Sequence, residues 1–296
     1  MVPGLWRCGM KTKRFLKEMV EPCRPLLRYH GGKWRIAPWI IAHFPQHRIY
    51  VEPFGGAASV LLRKPRSYAE VYNDLDGEIV NLFRVVRERG DELCRLVTLT
   101  PYARDEFELS YEPTDDPLEQ ARRTLLRSWA GFGTSFHRAT GFRNNSERNG
   151  SHPAMDWANF PPALAAIVER LRGVIIENRD ALEVIAQHDG PQTLHYCDPP
   201  YLPETRDPGT DYRHEMTREN HVRLAEALHA VQGYVVLSGY HSALYDELYA
   251  DWPRVERAAL ADGARPRVEV LWISPRTWEA LAREQGYLFQ EVEDGR

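Results

Sequence analysis

The chain has 296 residues, of which 43% are apolar, and a net charge of −4 at neutral pH. This composition is that of a globular protein with one large domain, or one domain plus an insertion. The four cysteines lack C-x-x-C pairing and no histidine cluster has zinc-ligand spacing, which argues against a disulfide framework and a metal site. No apolar run approaches the length of a membrane span and no signal-like segment opens the chain, so we expect a cytoplasmic protein without membrane contact.

Residues 1–25 predict a basic leader, because arginines and lysines recur through their first part and prolines follow. From residue 26 onward, runs rich in β-branched and aromatic residues alternate with helical periodicity. The predicted strands are 48–51, 68–72, 174–177, 193–197, 234–238, 255–260 and 268–273. The predicted helices are 35–44, 57–63, 76–89, 117–129, 162–171, 180–188, 217–230, 241–250 and 276–285. This alternation predicts an α/β fold with a mostly parallel, doubly wound sheet, and the short connection 261–264 predicts a hairpin with one antiparallel strand.

The second and third predicted strands are separated by far more residues than the dozen or so that a crossover needs. We therefore predict a mainly helical insertion at 91–160, which leaves 26–90 and 161–296 as the catalytic domain. Within the insertion, residues 121–150 carry six arginines against one acid, together with Trp129 and three phenylalanines. A solvated surface scatters its charges, so this window favours an anionic partner.

Asp198-Pro199-Pro200-Tyr201 follows the predicted strand 193–197 and carries groups suited to methylation of an exocyclic amino group. A nucleobase amino nitrogen is a poor nucleophile because its lone pair is delocalised into the ring. Asp198 and the carbonyl of Pro199, each accepting one N–H, would localise that lone pair, and two prolines hold these acceptors in a stiff backbone. Tyr201 adds a flat face on which a base can stack. The tetrapeptide alone is equally compatible with a strand that ends in a proline turn with a structural Asp and a buried Tyr.

Three further segments are typical of a nucleotide-like ligand. The run Glu52–Ser59 places small residues after the first strand, although it lacks the G-x-G-x-x-G spacing and so disfavours a nicotinamide or a flavin. Asp74, about twenty residues after these glycines, is placed to bind both hydroxyls of a ribose or to cap the helix Gly77–Arg89. Upstream, Gly31-Gly32-Lys33 forms a turn suited to closing over a ligand that carries a carboxylate.

The order Tyr29…Gly31-Gly32-Lys33, Glu52-Pro53-Phe54-x-Gly56, Asn73-Asp74 and Asp198-Pro199-Pro200-Tyr201 resembles the Dam-type DNA adenine methyltransferases, a class common in bacteria and their phages. The resemblance covers about residues 26–90 and 170–275. It implies a Rossmann-like, seven-stranded methyltransferase sheet with one reversed strand and an inserted target-recognition domain. It also implies methyl transfer from S-adenosyl-L-methionine to the amino group of a flipped adenine in double-stranded DNA.

The resemblance also implies roles for the residues that match. Around the methyl donor it places Tyr29, Gly32 and Lys33 near the methionine end, Phe54, Gly55 and Gly56 in the turn beneath, and Asp74 at the ribose. Asp180 would lie near the donor's adenine, or equally cap the helix 181–188. Asp198, Pro199, Pro200 and Tyr201 would hold the target adenine, with Asp198 also facing the donor. For DNA contacts we predict Arg122, Arg123, Arg127, Arg138 and Arg143.

Two features depart from the family pattern. Ala58 stands where the family's turn usually has a second glycine, which the turn tolerates if the φ of Ala58 is negative. The segment Trp129–Arg143 does not match the one that reads GATC in the best-known members, so the recognised sequence is left open. Methylation of RNA or of a protein glutamine, and a DNA-binding relative without catalysis, remain alternatives. We expect a monomer or a weak dimer.

Overall fold

A computed structural model describes residues 21–133, 139–144, 152–206, 212–260 and 266–294. The strands are β1 (Ile49–Glu52), β2 (Ala69–Asn73), β3 (Val174–Glu177), β4 (Thr193–Cys197), β5 (Tyr234–Gly239), β6 (Arg254–Leu260) and β7 (Pro266–Ile273). They form one seven-stranded sheet in the order β3-β2-β1-β4-β5-β7-β6. The first five strands in chain order pair in parallel. The predicted α/β fold and mostly parallel sheet are therefore confirmed.

One strand of the sheet, β7, runs in the opposite direction to its neighbours. It is antiparallel to both β5 and β6, as the predicted hairpin requires. The connecting residues 261–264 lie outside the described part of the chain. Because β7 is reversed, its first half lies at the edge where the parallel strands end.

The helices in chain order are α1 (Ala37–Ile41), α2 (Ser59–Arg63), α3 (Gly77–Glu88), α4 (Gly90–Leu99), α5 (Arg104–Leu109), α6 (Pro117–Ala130), α7 (Pro153–Ala158), α8 (Phe160–Leu171), α9 (Ala181–His188), α10 (Arg218–Ala230), α11 (Ala243–Leu248) and α12 (Pro275–Asp294). Periodicity predicted all of these helices except α4, α5 and α7. In the described part of the chain, no helix is long and apolar enough to cross a membrane.

The region between β2 and β3 is helical and packs on the sheet. Leu125 and Trp129 of α6 and Phe160 of α8 belong to the same buried cluster as Phe83 of α3 and Tyr72 of β2. The predicted insertion thus shares its hydrophobic core with the sheet, and the division into domains at residues 91 and 160 stays a prediction.

Helix α6 also fixes the segment that leads into the Gly-Gly-Lys turn. The indole nitrogen of Trp129 donates to the carbonyl of Leu26 at 3.1 Å. The hydroxyl of Ser128 accepts from the amide of Arg28 at 2.7 Å and donates to its carbonyl at 3.1 Å. These bonds hold residues 26–28 in place, so that residues 29–33 lie at the open edge of the sheet.

Candidate active site

A large cleft lies at the edge of the sheet where β1, β2 and β4 end. In open α/β sheets this edge is the usual place for ligands. The cleft is lined by every residue that the sequence predicted to contact a methyl donor, and also by Pro200. The predicted donor-contact residues are Tyr29, Gly32, Lys33, Phe54, Gly55, Gly56, Asp74, Asp180 and Asp198. Pro199 and Tyr201 are buried just behind it.

The turn after β1 packs tightly against two aromatic rings. A Cβ atom on Gly55 would lie 2.1 Å from the ring of Tyr72, and one on Gly56 would lie 2.9 Å from the ring of Tyr29. Gly56 also has a φ of 46°, and its carbonyl accepts from the Tyr72 hydroxyl at 2.8 Å. Only glycine fits at both positions, so a ligand can approach the backbone closely here.

Ala58 in the same turn has a φ of 51° and a ψ of 35°. The negative φ under which an alanine would be tolerated here is therefore not present. Its amide donates to the carbonyl of Gly55 at 2.7 Å, and its carbonyl accepts from the amide of Leu62 at 2.9 Å. Left-handed backbone costs an L-residue roughly 1–2 kcal/mol. The methyl group of Ala58 is nevertheless fully buried.

Asp74 joins the end of β2 to the turn after β1. Its Oδ2 accepts from the amide of Gly56 at 2.8 Å, and its Oδ1 accepts from the amide of Asp76 at 2.8 Å. The cap of α3 is Asp76, whose carboxylate accepts from the amide of Glu78, so the alternative that Asp74 caps this helix was wrong. Burial raises the pKa of Asp74 to about 6, although the two amide donors oppose this. Its carboxylate lines the cleft, as a ribose-binding acid would.

The side chain of Asn73 holds three loops together beneath Asp74. Its amide nitrogen donates to the carbonyl of Pro53 at 2.9 Å and to that of Arg179 at 3.1 Å. Its amide oxygen accepts from the amide of Arg179 at 2.9 Å. The neighbouring Asp180 is the N-cap of α9, accepting from Leu182 at 2.9 Å, which confirms that assignment. The contact of Asp180 with a donor's adenine stays a prediction.

Lys33 extends from the Gly-Gly-Lys turn to the Asp198–Tyr201 motif. Its buried Nζ lies 3.0 Å from Asp198 Oδ1 and 3.7 Å from Glu269 Oε1. It also donates to the carbonyl of Gly31 at 2.8 Å. Burial alone would lower the pKa of Lys33, but the carboxylates of Asp198 and Glu269 outweigh it and raise the pKa. The ammonium is therefore a fixed positive charge beside Asp198.

The phenol of Tyr201 is bonded within the motif. Its hydroxyl donates to Asp198 Oδ1 at 2.9 Å and also contacts Glu269 Oε1. The Nζ of Lys33 lies 4.7 Å from the centre of its ring, and the ring of Tyr240 meets it edge-on at 4.7 Å. The side chain is 6% exposed. The flat face expected from the sequence is thus buried in this structure.

Two acids of the site were not assigned a role from the sequence. Glu269 of β7 is buried beside Tyr201 and Lys33; burial and the charge of Asp198 raise its pKa, while Lys33 opposes the rise. Glu52 lines the cleft, and its Oε2 accepts from the Tyr50 hydroxyl at 2.7 Å and from the amide of Leu61 at 3.0 Å. The sequence signal that could have identified these two residues is an acid within an otherwise apolar strand, because a buried acid must be paired or hydrogen-bonded.

The segment 212–216 closes one side of the cleft and was also missed. The hydroxyl oxygen of Tyr212 lies 2.6 Å from the position that a Cβ atom on Gly31 would take. Arg213 pairs with Asp76 at 2.9 Å and with Glu78 at 2.7 Å, which fixes this segment to the start of α3. Its sequence contains no pattern that would place it there.

The arginines of α6 bind carboxylates of the protein itself. Arg122 is 7% exposed and contacts Glu106 and Glu119 at 2.6 Å each. Arg123 contacts Glu119 at 2.7 Å, and Arg127 contacts Glu78. These partners indicate structural roles and argue against the phosphate contacts that the sequence predicted for the three residues.

The other two arginines predicted to contact DNA come after α6 in the chain. Arg143 lies 3.8 Å from Asp156 and its backbone pairs with Ala130. Arg138 lies outside the described residues. For both, DNA contact stays a prediction.

Comparison with known proteins agrees with this geometry. The family described as D12 class N6 adenine-specific DNA methyltransferase matches residues 29–261, which is most of the chain. A type II methyltransferase, M1.LlaDCHI of Lactococcus lactis subsp. cremoris, is 25% identical over 255 residues, covering 77% of this chain and 85% of that protein. The DNA adenine methylase of Salmonella typhi is 26% identical over 239 residues, covering 76% and 84%. That of Escherichia coli K12 is 25% identical over 213 residues, covering 69% and 74%.

The family match spans the glycine turn, Asp74 and the Asp198–Tyr201 motif, which the structure brings to one cleft. It favours DNA over the RNA and protein substrates that the sequence left open. The chain belongs to the D12 class of N6 adenine-specific DNA methyltransferases and is an enzyme that methylates adenine in DNA.

Proposed function

We propose that S-adenosyl-L-methionine is the methyl donor and that it binds in the cleft between the Gly-Gly-Lys turn, the turn after β1 and Asp74. Bound there, it supplies a methyl group on a positively charged sulfur, which is already activated for transfer. Three features of the chain fit such a ligand. The glycine turn leaves its backbone open, and Asp74 presents a carboxylate that can accept two hydroxyl groups. The buried hydroxyl of Ser59 lines the cleft and has no hydrogen-bond partner among the described residues.

The proposed acceptor is an adenine that leaves the DNA stack and enters the Asp198 side of the cleft. Removing a base from a duplex costs a few kcal/mol. Asp198 and the carbonyl of Pro199 would accept the two N–H bonds of its amino group and localise the nitrogen lone pair. Preorganised acceptors of this kind are effective because they need no rearrangement during the reaction. The backbone of two consecutive prolines provides that rigidity.

Stacking of the adenine on Tyr201 requires the contact between Tyr201 and Tyr240 to open. The ring is buried in the structure, with Tyr240 against its edge and Lys33 over its face. A stacked base would contribute about 1–3 kcal/mol towards the cost of flipping. We retain this role for Tyr201, with the movement of Tyr240 as part of the proposal.

For the DNA duplex we propose contacts from residues 91–160, the target-recognition region, and in particular from Arg138 and Arg143. Arg143 directly follows Phe142, which forms a β-bridge with Gly131. The α6 arginines would support this region from within through their carboxylate partners.

The observation that carries the proposal is that Asp198 and Asp74 line one cleft from opposite sides of the glycine turn. Asp198→Ala should lower the rate of tritium transfer from labelled S-adenosylmethionine to duplex DNA by about 10²–10³-fold, because it removes an acceptor from the reacting amino group. Calorimetry should show donor affinity little changed. Asp74→Ala should do the reverse and weaken donor binding by about tenfold, as expected for lost bonds to a charged group.

Asp251→Ala, at an exposed acid outside both the cleft and residues 91–160, is the matched control and should change neither quantity. Wild-type transfer by Asp198→Ala would contradict the proposal. So would donor affinity that survives Asp74→Ala unchanged.

A further inference from the structure

Two donors are bound to the same oxygen of the Asp198 carboxylate. The hydroxyl of Tyr201 lies 2.9 Å from Asp198 Oδ1, and the ammonium of Lys33 lies 3.0 Å from that atom. A carboxylate oxygen has two lone pairs, so these donors saturate Oδ1. They also fix the plane of the carboxylate and therefore the direction of its second oxygen.

Both donors are in turn held by Glu269. Its Oε1 contacts the Tyr201 hydroxyl and lies 3.7 Å from Nζ of Lys33. Glu269 itself is 3% exposed. Glu269 directly precedes Val270, which pairs with Gly239, the last residue of the parallel strand β5. It therefore lies at the edge of the sheet where the parallel strands end.

The Tyr201 hydroxyl has one proton and two acidic neighbours, Asp198 and Glu269. A tyrosine has a single hydroxyl proton and cannot donate fully to two carboxylates. The proton of the Tyr201 hydroxyl is therefore shared between Asp198 Oδ1 and Glu269 Oε1, so that this hydroxyl links the two acids.

We infer that Glu269 is a positioning residue for methyl transfer: it holds the Tyr201 hydroxyl and the Lys33 ammonium on one oxygen of Asp198, so that the other oxygen is aimed at the target amino group. The inference rests on the proposed role of Asp198. Glu269 touches neither substrate, and it acts only through Tyr201 and Lys33. Because the carboxylate is already oriented, it loses little entropy when the base binds.

The test is a double-variant cycle on the rate of a single methyl transfer to duplex DNA. Glu269→Ala should lower the rate by about tenfold or more, because it removes the group that holds the Tyr201 hydroxyl and the Lys33 ammonium on Asp198 Oδ1, while donor affinity is little changed. Glu269→Gln should recover part of the loss, since its amide oxygen can accept from the Tyr201 hydroxyl as the carboxylate does. In a Tyr201→Phe background, Glu269→Ala should cost clearly less than in the wild type, because the link between the two acids is gone.

Losses that multiply fully in the double variant would overturn the inference, as would a wild-type rate in Glu269→Ala. A purely structural role predicts that multiplication together with a lower melting temperature, which is measured on each variant. If Glu269→Ala does not fold, Tyr201→Phe decides alone: a wild-type rate there overturns the inference and a reduced rate supports it. These outcomes require an active wild type. Failure of the wild type to methylate DNA would instead contradict the proposed function, and the inference would fall with it.

Discussion

At the scale of single residues, the turn after β1 contains a strained alanine whose effect can be isolated. Ala57 and Ala58 are adjacent and buried, but among the described non-glycine residues only Ala58 has a positive φ. Glycine at either position loses a buried methyl group and increases the entropy of the unfolded chain. Only Ala58→Gly also releases left-handed strain. We therefore expect Ala58→Gly to be more stable than Ala57→Gly by about 1 kcal/mol in urea unfolding. Equal stabilities would contradict the strain.

Glu52 provides a pH dependence whose sign follows from its burial. Burial raises the pKa of Glu52 to about 8, although the Tyr50 hydroxyl and the Leu61 amide oppose this. The folded protein then holds the proton more tightly than the unfolded chain. Its contribution to stability is complete below the ordinary pKa of a glutamate and is lost as the pH rises through about 8.

Glu52→Gln cannot ionise, so its melting temperature should fall less than that of the wild type between pH 5.5 and about 8.5. The difference in stability should change by at most about 1.4 kcal/mol per pH unit. Glu247→Gln, at an exposed glutamate, serves as the control and should follow the wild type. Parallel curves for wild type and Glu52→Gln would show that Glu52 is already ionised in the folded protein at neutral pH.

At the scale of elements, the arginines of α6 are either structural residues or DNA contacts, and substitutions distinguish the two. Arg122→Gln removes the buried partner of Glu106 and leaves Glu119 with Arg123 alone, so the free energy of unfolding should fall by about 3 kcal/mol. The dependence of DNA affinity on salt should stay unchanged. Arg143→Gln should instead reduce the slope of log affinity against log salt by about one unit if this residue contacts a phosphate. A reduced slope for Arg122→Gln without loss of stability would restore the interpretation of α6 as a DNA-binding surface.

The same helix shows what the sequence can and cannot predict. Strands and long helices follow from local periodicity, so β3 and β4 were predicted to the residue and α6 nearly so. The cleft residues were predicted because a motif keeps its spacing along the chain. The partners of Arg122 were not, because Glu106 is brought to it only by packing of α5 on α6. Glu269 was missed for the same reason: it contacts Tyr201 only because the reversed strand β7 lies beside β5 in the tertiary structure.

At the scale of the whole molecule, one hydrophobic cluster connects the sheet to the region proposed to recognise DNA. Helices α6 and α8 pack with α3 against the sheet, and α6 also fixes the segment before the Gly-Gly-Lys turn. Arg127 of α6 and Arg213 beside the cleft share the carboxylate of Glu78. The chain therefore joins the cleft to the helices between β2 and β3 in one continuous framework.

The most direct test of the central claim is the methylation pattern of DNA from a host that lacks adenine methylation and expresses this chain. Single-molecule sequencing should find N6-methyladenine at one recurring short sequence with the wild type. It should find none with Asp198→Ala produced at the same level. Methylated adenine that persists with Asp198→Ala, or a folded wild type that leaves the DNA unmethylated, would contradict the account.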